Sequence, residues 1–127
     1  MSAAAVIAVG AGAALGAWLR WGLSVAFNHV APNLPLGTLA SNLIGGYLVG
    51  VAVEVLVNHS LLTPEWRLFI ITGFLGGLTT FSTFSAEAVG LLSRQQYGWA
   101  TGLIAAHLAG SLIMTVLGML TVRAWGG

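Results

Sequence analysis

Ten consecutive residues, Gly76 to Ser85, hold two adjacent glycines, five hydroxyl side chains and two phenylalanines in the order Gly-Gly-Leu-Thr-Thr-Phe-Ser-Thr-Phe-Ser. Phe81 and Phe84 are spaced i, i+3 and share one face of a helix. An aromatic ring has a positive edge, so two ring edges on one face could polarise toward an anion without competing as acceptors; the same spacing also serves ordinary packing. Around them Thr80, Thr83 and Glu87 form one stripe, and Ser82 and Ser85 another. His107, Ser111 and Thr115 recur at i, i+4 and i+8. Hydroxyls so placed could pass an anion along a chain of donors, or could bond back to the carbonyl four residues earlier. Asn42 shares a face with Gly46 and Gly50, so its amide either donates to an anion above a groove or ties two helices together. Glu87 is the only acid well inside an apolar run. Such a carboxylate could oppose an anion, bind a cation, relay protons, or pair with Arg20 or Arg94.

The elements that must position these groups follow from composition. The chain has 127 residues, of which 57% are hydrophobic and 6% charged, with a mean hydropathy of +0.95. A soluble domain carries about 25% charged residues, so this chain reads as an integral, multi-pass membrane protein. A span needs roughly 20 mostly apolar residues, and four are predicted, at about 4–27, 38–58, 66–93 and 99–124. Together they form one transmembrane domain over residues 1–127. Pro32, Asn33 and Pro35 mark the first connection, Asn58, His59 and Ser60 with Thr63 and Pro64 the second, and Gln95 to Gly98 the third. Thr63 and Pro64 are suited to cap and start a helix. Trp18, Trp21, Trp66, Trp99 and Trp125 fall near span ends, as an aromatic belt does. The start, Met1 to Ala5, lacks the positive region of a signal peptide, so the first run is expected to be a retained helix.

Several classes of chemistry are excluded. There is no cysteine and a net charge of +1, so neither thiol chemistry nor a basic surface for nucleic acid is available. Three His and three acids form no nucleophile–base pair or metal-ligand cluster, and an enzyme is not expected. The four basic residues divide evenly: Arg67 and Arg123 toward one side of the membrane, Arg20 and Arg94 toward the other. Orientation is set by an excess of Lys and Arg on one side, so insertion both ways is expected. Two chains of opposite orientation would form an antiparallel, dual-topology homodimer with its axis in the membrane plane. Small residues at i, i+4, namely Gly12 and Gly16, Gly46 and Gly50, Gly73 and Gly77, and Gly98, Gly102, Ala106 and Gly110, offer close helix contacts.

Gly76 and Gly77 are poor helix residues inside the third run, which therefore reads as a broken helix. A half-helix ending near Gly76 leaves unpaired carbonyls with partial negative charge. In an inverted pair two such ends could make an oxygen cage for a small cation; a simple glycine kink would need none. The motif from Gly76 to Phe84, the length, the four spans and the Asn early in the second span resemble the CrcB/Fluc fluoride channel family. That resemblance implies a fluoride-selective channel giving passive export of fluoride from the cytoplasm across a bacterial inner membrane. It implies ion paths lined by Phe81, Phe84, Asn42 and a polar track in which Ser82, Thr83 and Ser111 take part. Arg20, Glu87, His107 and Thr115 are the looser assignments. It also implies a structural Na⁺ on the dimer axis, held by the backbone carbonyls of Gly76 and Thr79. Fluoride is small and strongly hydrated; burying such an ion costs of order 20 kcal/mol by an idealised Born estimate, so a path must replace water with many weak donors. The alternative is a small dual-topology, proton-coupled multidrug exporter working through Glu87.

Overall fold

The structure, a computed structural model, describes residues 1–58 and 62–126. His59 and Ser60 of the second predicted connection lie outside the described residues. Helix α1 spans Ala3–Phe27, with the Ser2 hydroxyl accepting the Ala5 amide at its start. Helix α2 (Leu36–Asn58) begins directly after Pro35. The third span opens with α3 (Pro64–Arg67), where Thr63 accepts the Trp66 amide and Pro64 takes the first turn, as expected. It continues as a π-helical segment, Leu68–Leu75, and then as α4 (Gly76–Leu78). Helix α5 (Phe81–Ser93) completes it, and a turn with Gln95 at φ 61° leads into α6 (Tyr97–Gly126).

Among the described residues, four helical stretches are long and apolar enough to cross a bilayer: Ala3–Phe27, Leu36–Leu56, Pro64–Ser93 and Tyr97–Gly126. The third is one bent, joined span rather than two separated half-helices. Only Thr79 (φ −88°, ψ 156°) and Thr80 (φ −149°, ψ 118°) leave helical geometry, between α4 and α5. The wider π turns ahead of them were not anticipated from the sequence, because an apolar run shows the same hydropathy in an α- or a π-turn. Such turns concentrate at functional sites.

Glycines decide which helices meet closely. A Cβ on Gly12 or Gly16 would strike the backbone of Phe69, Phe74 or Leu78, and one on Gly77 would strike Ala13. Helix α1 therefore lies backbone against backbone on the π segment and α4. In the same way Gly50 faces the Thr115 carbonyl and Gly118 the Tyr47 carbonyl, drawing α2 onto α6. Gly98 and Gly102 have open space where a Cβ would go, so that end of the predicted contact face does not pack within this chain, whereas Gly110 at its other end meets Leu43 of α2. A small core of Phe84, Ala88, Leu91, Ala100 and Leu103 joins α5 to α6. Near the other end of α6, Arg123 bonds Glu54 of α2 at 2.9 Å. The tryptophans Trp18, Trp21, Trp66, Trp99 and Trp125 all face outward.

Candidate functional site

The extended pair Thr79–Thr80 frees backbone groups that a continuous helix would pair. Three of them, the Thr80 amide and the carbonyls of Thr80 and Gly77, are met by side chains from other helices. The Thr80 amide donates to Asn42 Oδ1 at 2.8 Å, and Asn42 Nδ2 donates to the Thr80 carbonyl at 3.1 Å. Asn42 thus stands in for a neighbouring strand. Arg20 Nε donates to the Gly77 carbonyl at 2.9 Å. The Thr80 hydroxyl caps α5 by accepting the Thr83 amide at 3.1 Å. Thr79 folds its hydroxyl back onto the Leu75 carbonyl at 2.8 Å.

This pairing determines hydrogen positions farther along. The two Thr80 bonds admit one orientation of the Asn42 amide: oxygen toward the N–H, nitrogen toward the carbonyl. The remaining N–H of Asn42 points to His107 Nδ1, 2.9 Å away. That ring nitrogen is therefore the acceptor, and a neutral His107 carries its proton on Nε2. The Nε2 atom is buried and has no partner among the described residues. Buried polar groups are almost always paired, so this N–H is a vacant donor. His107 is 3% exposed and its ring lies 4.8 Å from that of Phe84.

These groups border a cavity of about 460 Å³ whose lining is mostly apolar. Of the residues predicted from sequence, Asn42, Gly76, Thr79, Phe81, Phe84, His107 and Ser111 line it. Phe81 and Phe84 meet edge to face, centroids 5.4 Å apart at 65°. Phe84 is buried, whereas Phe81 is 68% exposed at the rim. Ser82, Thr83, Thr115, Glu87 and Arg20 are not part of this lining. The Thr115 hydroxyl bonds the carbonyls of Gly46 and Ser111, the inter-helix and back-bonding alternative to a donor track. Ser82 sits 3.4 Å from the Thr80 hydroxyl on the exposed side.

Three expectations change. Asn42 lines the cavity but keeps no free N–H for an anion, since both are engaged by Thr80 and His107. Arg20, offered as a partner for Glu87, instead turns inward to Gly77, because Gly12 and Gly16, on the same face of α1, bring the third span within reach. Glu87 pairs with neither Arg20 nor Arg94. It accepts the Thr38 hydroxyl at 2.7 Å, and Thr38 is in turn held by Asn28. Its second oxygen is buried without a partner among the described residues, beside a separate cavity of about 160 Å³ lined by Asn33 and Arg94. The contributions of Thr38 and Asn28 were missed. Both lie at span ends, where polar residues are the norm and give no signal in a single sequence.

Residues 7–119 match the family described as "CrcB-like protein, Camphor Resistance (CrcB)". The chain belongs to the CrcB-like family. A relative from Nitrosospira multiformis, named "Fluoride-specific ion channel FluC", is 63% identical over 119 residues, which is 94% of this chain and 93% of that protein. Relatives of the same name come from Cupriavidus taiwanensis, 60% identical over 92% of this chain and 93% of the relative, and Ralstonia nicotianae, 56% identical over 99% and 100%. With its four spans, this CrcB-like chain is a multi-pass membrane protein. By the names of its relatives the family is one of ion channels, not of enzymes.

Proposed function

We propose that the chain forms a fluoride-selective channel that lets fluoride leave the cytoplasm passively, in a bacterial inner membrane. The observation that carries this reading is the identity to FluC-named relatives over nearly the whole chain. The cavity beside Thr80 gives it a chemistry. The lining is mostly apolar, the ring edges of Phe81 and Phe84 offer weak positive polarity, and His107, one of the lining residues, carries a buried Nε2–H with no partner among the described residues. Ser111 adds a hydroxyl on the same lining. Donors of this weak kind suit conduction, which requires that an ion be held and then released. Asn42 serves by holding Thr80 and by orienting His107, not as a ligand.

The active form in this reading is an inverted homodimer. The cavity is open on one side, where Phe81 and Leu112 stand 68% and 69% exposed, and a second copy would close it. Within such a pair the bends of the two third spans would face each other. Gly76 and Thr79 fit a structural Na⁺ there. In a continuous helix Gly76 would receive the Thr80 amide, but that amide is given to Asn42, which releases a carbonyl at the cavity wall. Backbone carbonyls at such unwound points suit a hard monovalent cation. When bound, the ion would supply fixed positive charge near the anion paths.

Fluoride efflux from liposomes holding the purified protein, with valinomycin clamping voltage and chloride as control, tests the reading. Fast, passive fluoride loss with little chloride loss is expected. Phe81→Ile should remove most of the flux while leaving assembly intact. No fluoride loss from assembled wild-type protein would sink the proposal.

A further inference from the structure

We infer that Arg20 is a positioning residue that holds the bend of the third span, rather than a charge that attracts the ion. The inference rests on the channel reading for its effect on flux, and on geometry alone for its effect on the backbone. Gly12, Gly16 and Arg20 recur every four residues and so share one face of α1. The two glycines leave no room for a Cβ against the third span, so this face touches backbone. One turn farther, the same close approach delivers the half-buried Arg20 to the Gly77 carbonyl at 2.9 Å. In a continuous helix Gly77 would receive the Phe81 amide. The extended Thr79–Thr80 step removes that donor, and Arg20 replaces it with a charge-assisted bond, which is stronger than a neutral one.

The consequence reaches the site through three residues of backbone. Gly77 is gripped by Arg20 of α1 and Thr80 by Asn42 of α2. Between them lie Leu78 and Thr79, and directly after them Phe81. The angle at which α5 leaves the bend, and hence where Phe81 and Phe84 stand, depends on both grips. An arginine that instead drew fluoride by its charge would need to face the cavity, and Arg20 is not part of the cavity lining.

Three variants separate the two roles. Arg20→Gln keeps an amide donor and drops the charge; Arg20→Met drops both; Arg20→Lys keeps the charge on a shorter, rounder donor. The readouts are hydrogen exchange at the amides of Thr80 to Thr83 in the assembled protein in lipid nanodiscs, and fluoride efflux at low and saturating fluoride. Loss of a charge-assisted bond is expected to raise local exchange about tenfold in Arg20→Met, with flux reduced by a similar factor at both fluoride levels. Arg20→Gln should lie clearly closer to wild type in both readouts. Should Arg20→Met fail to assemble, Arg20→Lys takes its place, with raised exchange expected despite the retained charge. Equal flux loss in Arg20→Gln and Arg20→Met, confined to low fluoride and with exchange unchanged, would overturn the inference. If wild-type protein passes no fluoride, the channel reading falls, while the exchange comparison still decides the role of Arg20.

Discussion

Asn42 shows how one side chain can decide a local structure. Its amide has one acceptor and two donors in use, and all three are committed: two to the Thr80 peptide and one to His107. Truncation in Asn42→Ala would leave the Thr80 N–H and C=O unpaired, at about 1–3 kcal/mol for each buried group. A lower thermal midpoint and lost fluoride flux are expected, measured by fluorescence-detected size exclusion after heating and by liposome efflux. Asn42→Asp keeps an acceptor for the Thr80 amide but sets a carboxylate oxygen against the Thr80 carbonyl and His107 Nδ1. It should be as inactive as Asn42→Ala. His107→Leu removes the vacant Nε2 donor with little change of volume. Flux should fall by one to two orders of magnitude, roughly what loss of a hydrogen bond to a charged group amounts to, while the elution profile of the purified protein stays that of wild type.

At the scale of elements, two pairs carry the architecture: α1 on the π segment and α4, and α2 on α6. In both, glycines let backbone meet backbone. In lipid, tails are as apolar as leucine, so helices associate through close backbone contact and hydrogen bonds. Gly16 is the sharpest case, since a Cβ there would run into the Phe74 carbonyl and approach the Leu78 amide. Gly16→Val should prevent α1 from seating, and the protein should not purify as a stable assembly. Gly22→Ala is the control on the same helix. Nothing lies within 4 Å of a Cβ at Gly22, so thermal stability and flux should match wild type. The sequence marked Gly12 and Gly16 as a contact face correctly but could not rank it above Gly98 and Gly102, which meet nothing in this chain. Spacing defines a face; only the fold supplies what faces it.

For the whole molecule the question is orientation. Four arginines divide two against two between the sides. The fold adds that two of them are engaged by other groups of the chain, the half-buried Arg20 with Gly77 and the exposed Arg123 with Glu54. With no excess of Lys and Arg on one side, C-terminal reporter fusions should register on both faces of the membrane. A few lysines added at the C-terminus should bias insertion. That biased chain alone should lose fluoride protection of cells, and co-expression with an oppositely biased chain should restore it. Full activity from a chain locked in one orientation would rule out the inverted pair.

Composition and hydropathy by themselves determined that this chain crosses the membrane four times, and where, to within a residue or two at most ends. That is legible because a span is a local sum: each residue contributes its own transfer free energy, whatever its neighbours do. The motif from Gly76 to Phe84 likewise showed where helical geometry would be under strain, since adjacent glycines and clustered hydroxyls weaken a helix locally. Tertiary structure alone decided what the polar side chains hold. Arg20 finds its partner 57 residues away, and Asn42 finds its two 38 and 65 residues away. None of these distances leaves a period in the sequence. It also made Asn42 a backbone clamp, moved the vacant donor to His107, and bent the third span through a π segment. A hydrogen bond needs two groups within about 3 Å and correctly aimed, and which groups those are is known only once the helices are packed.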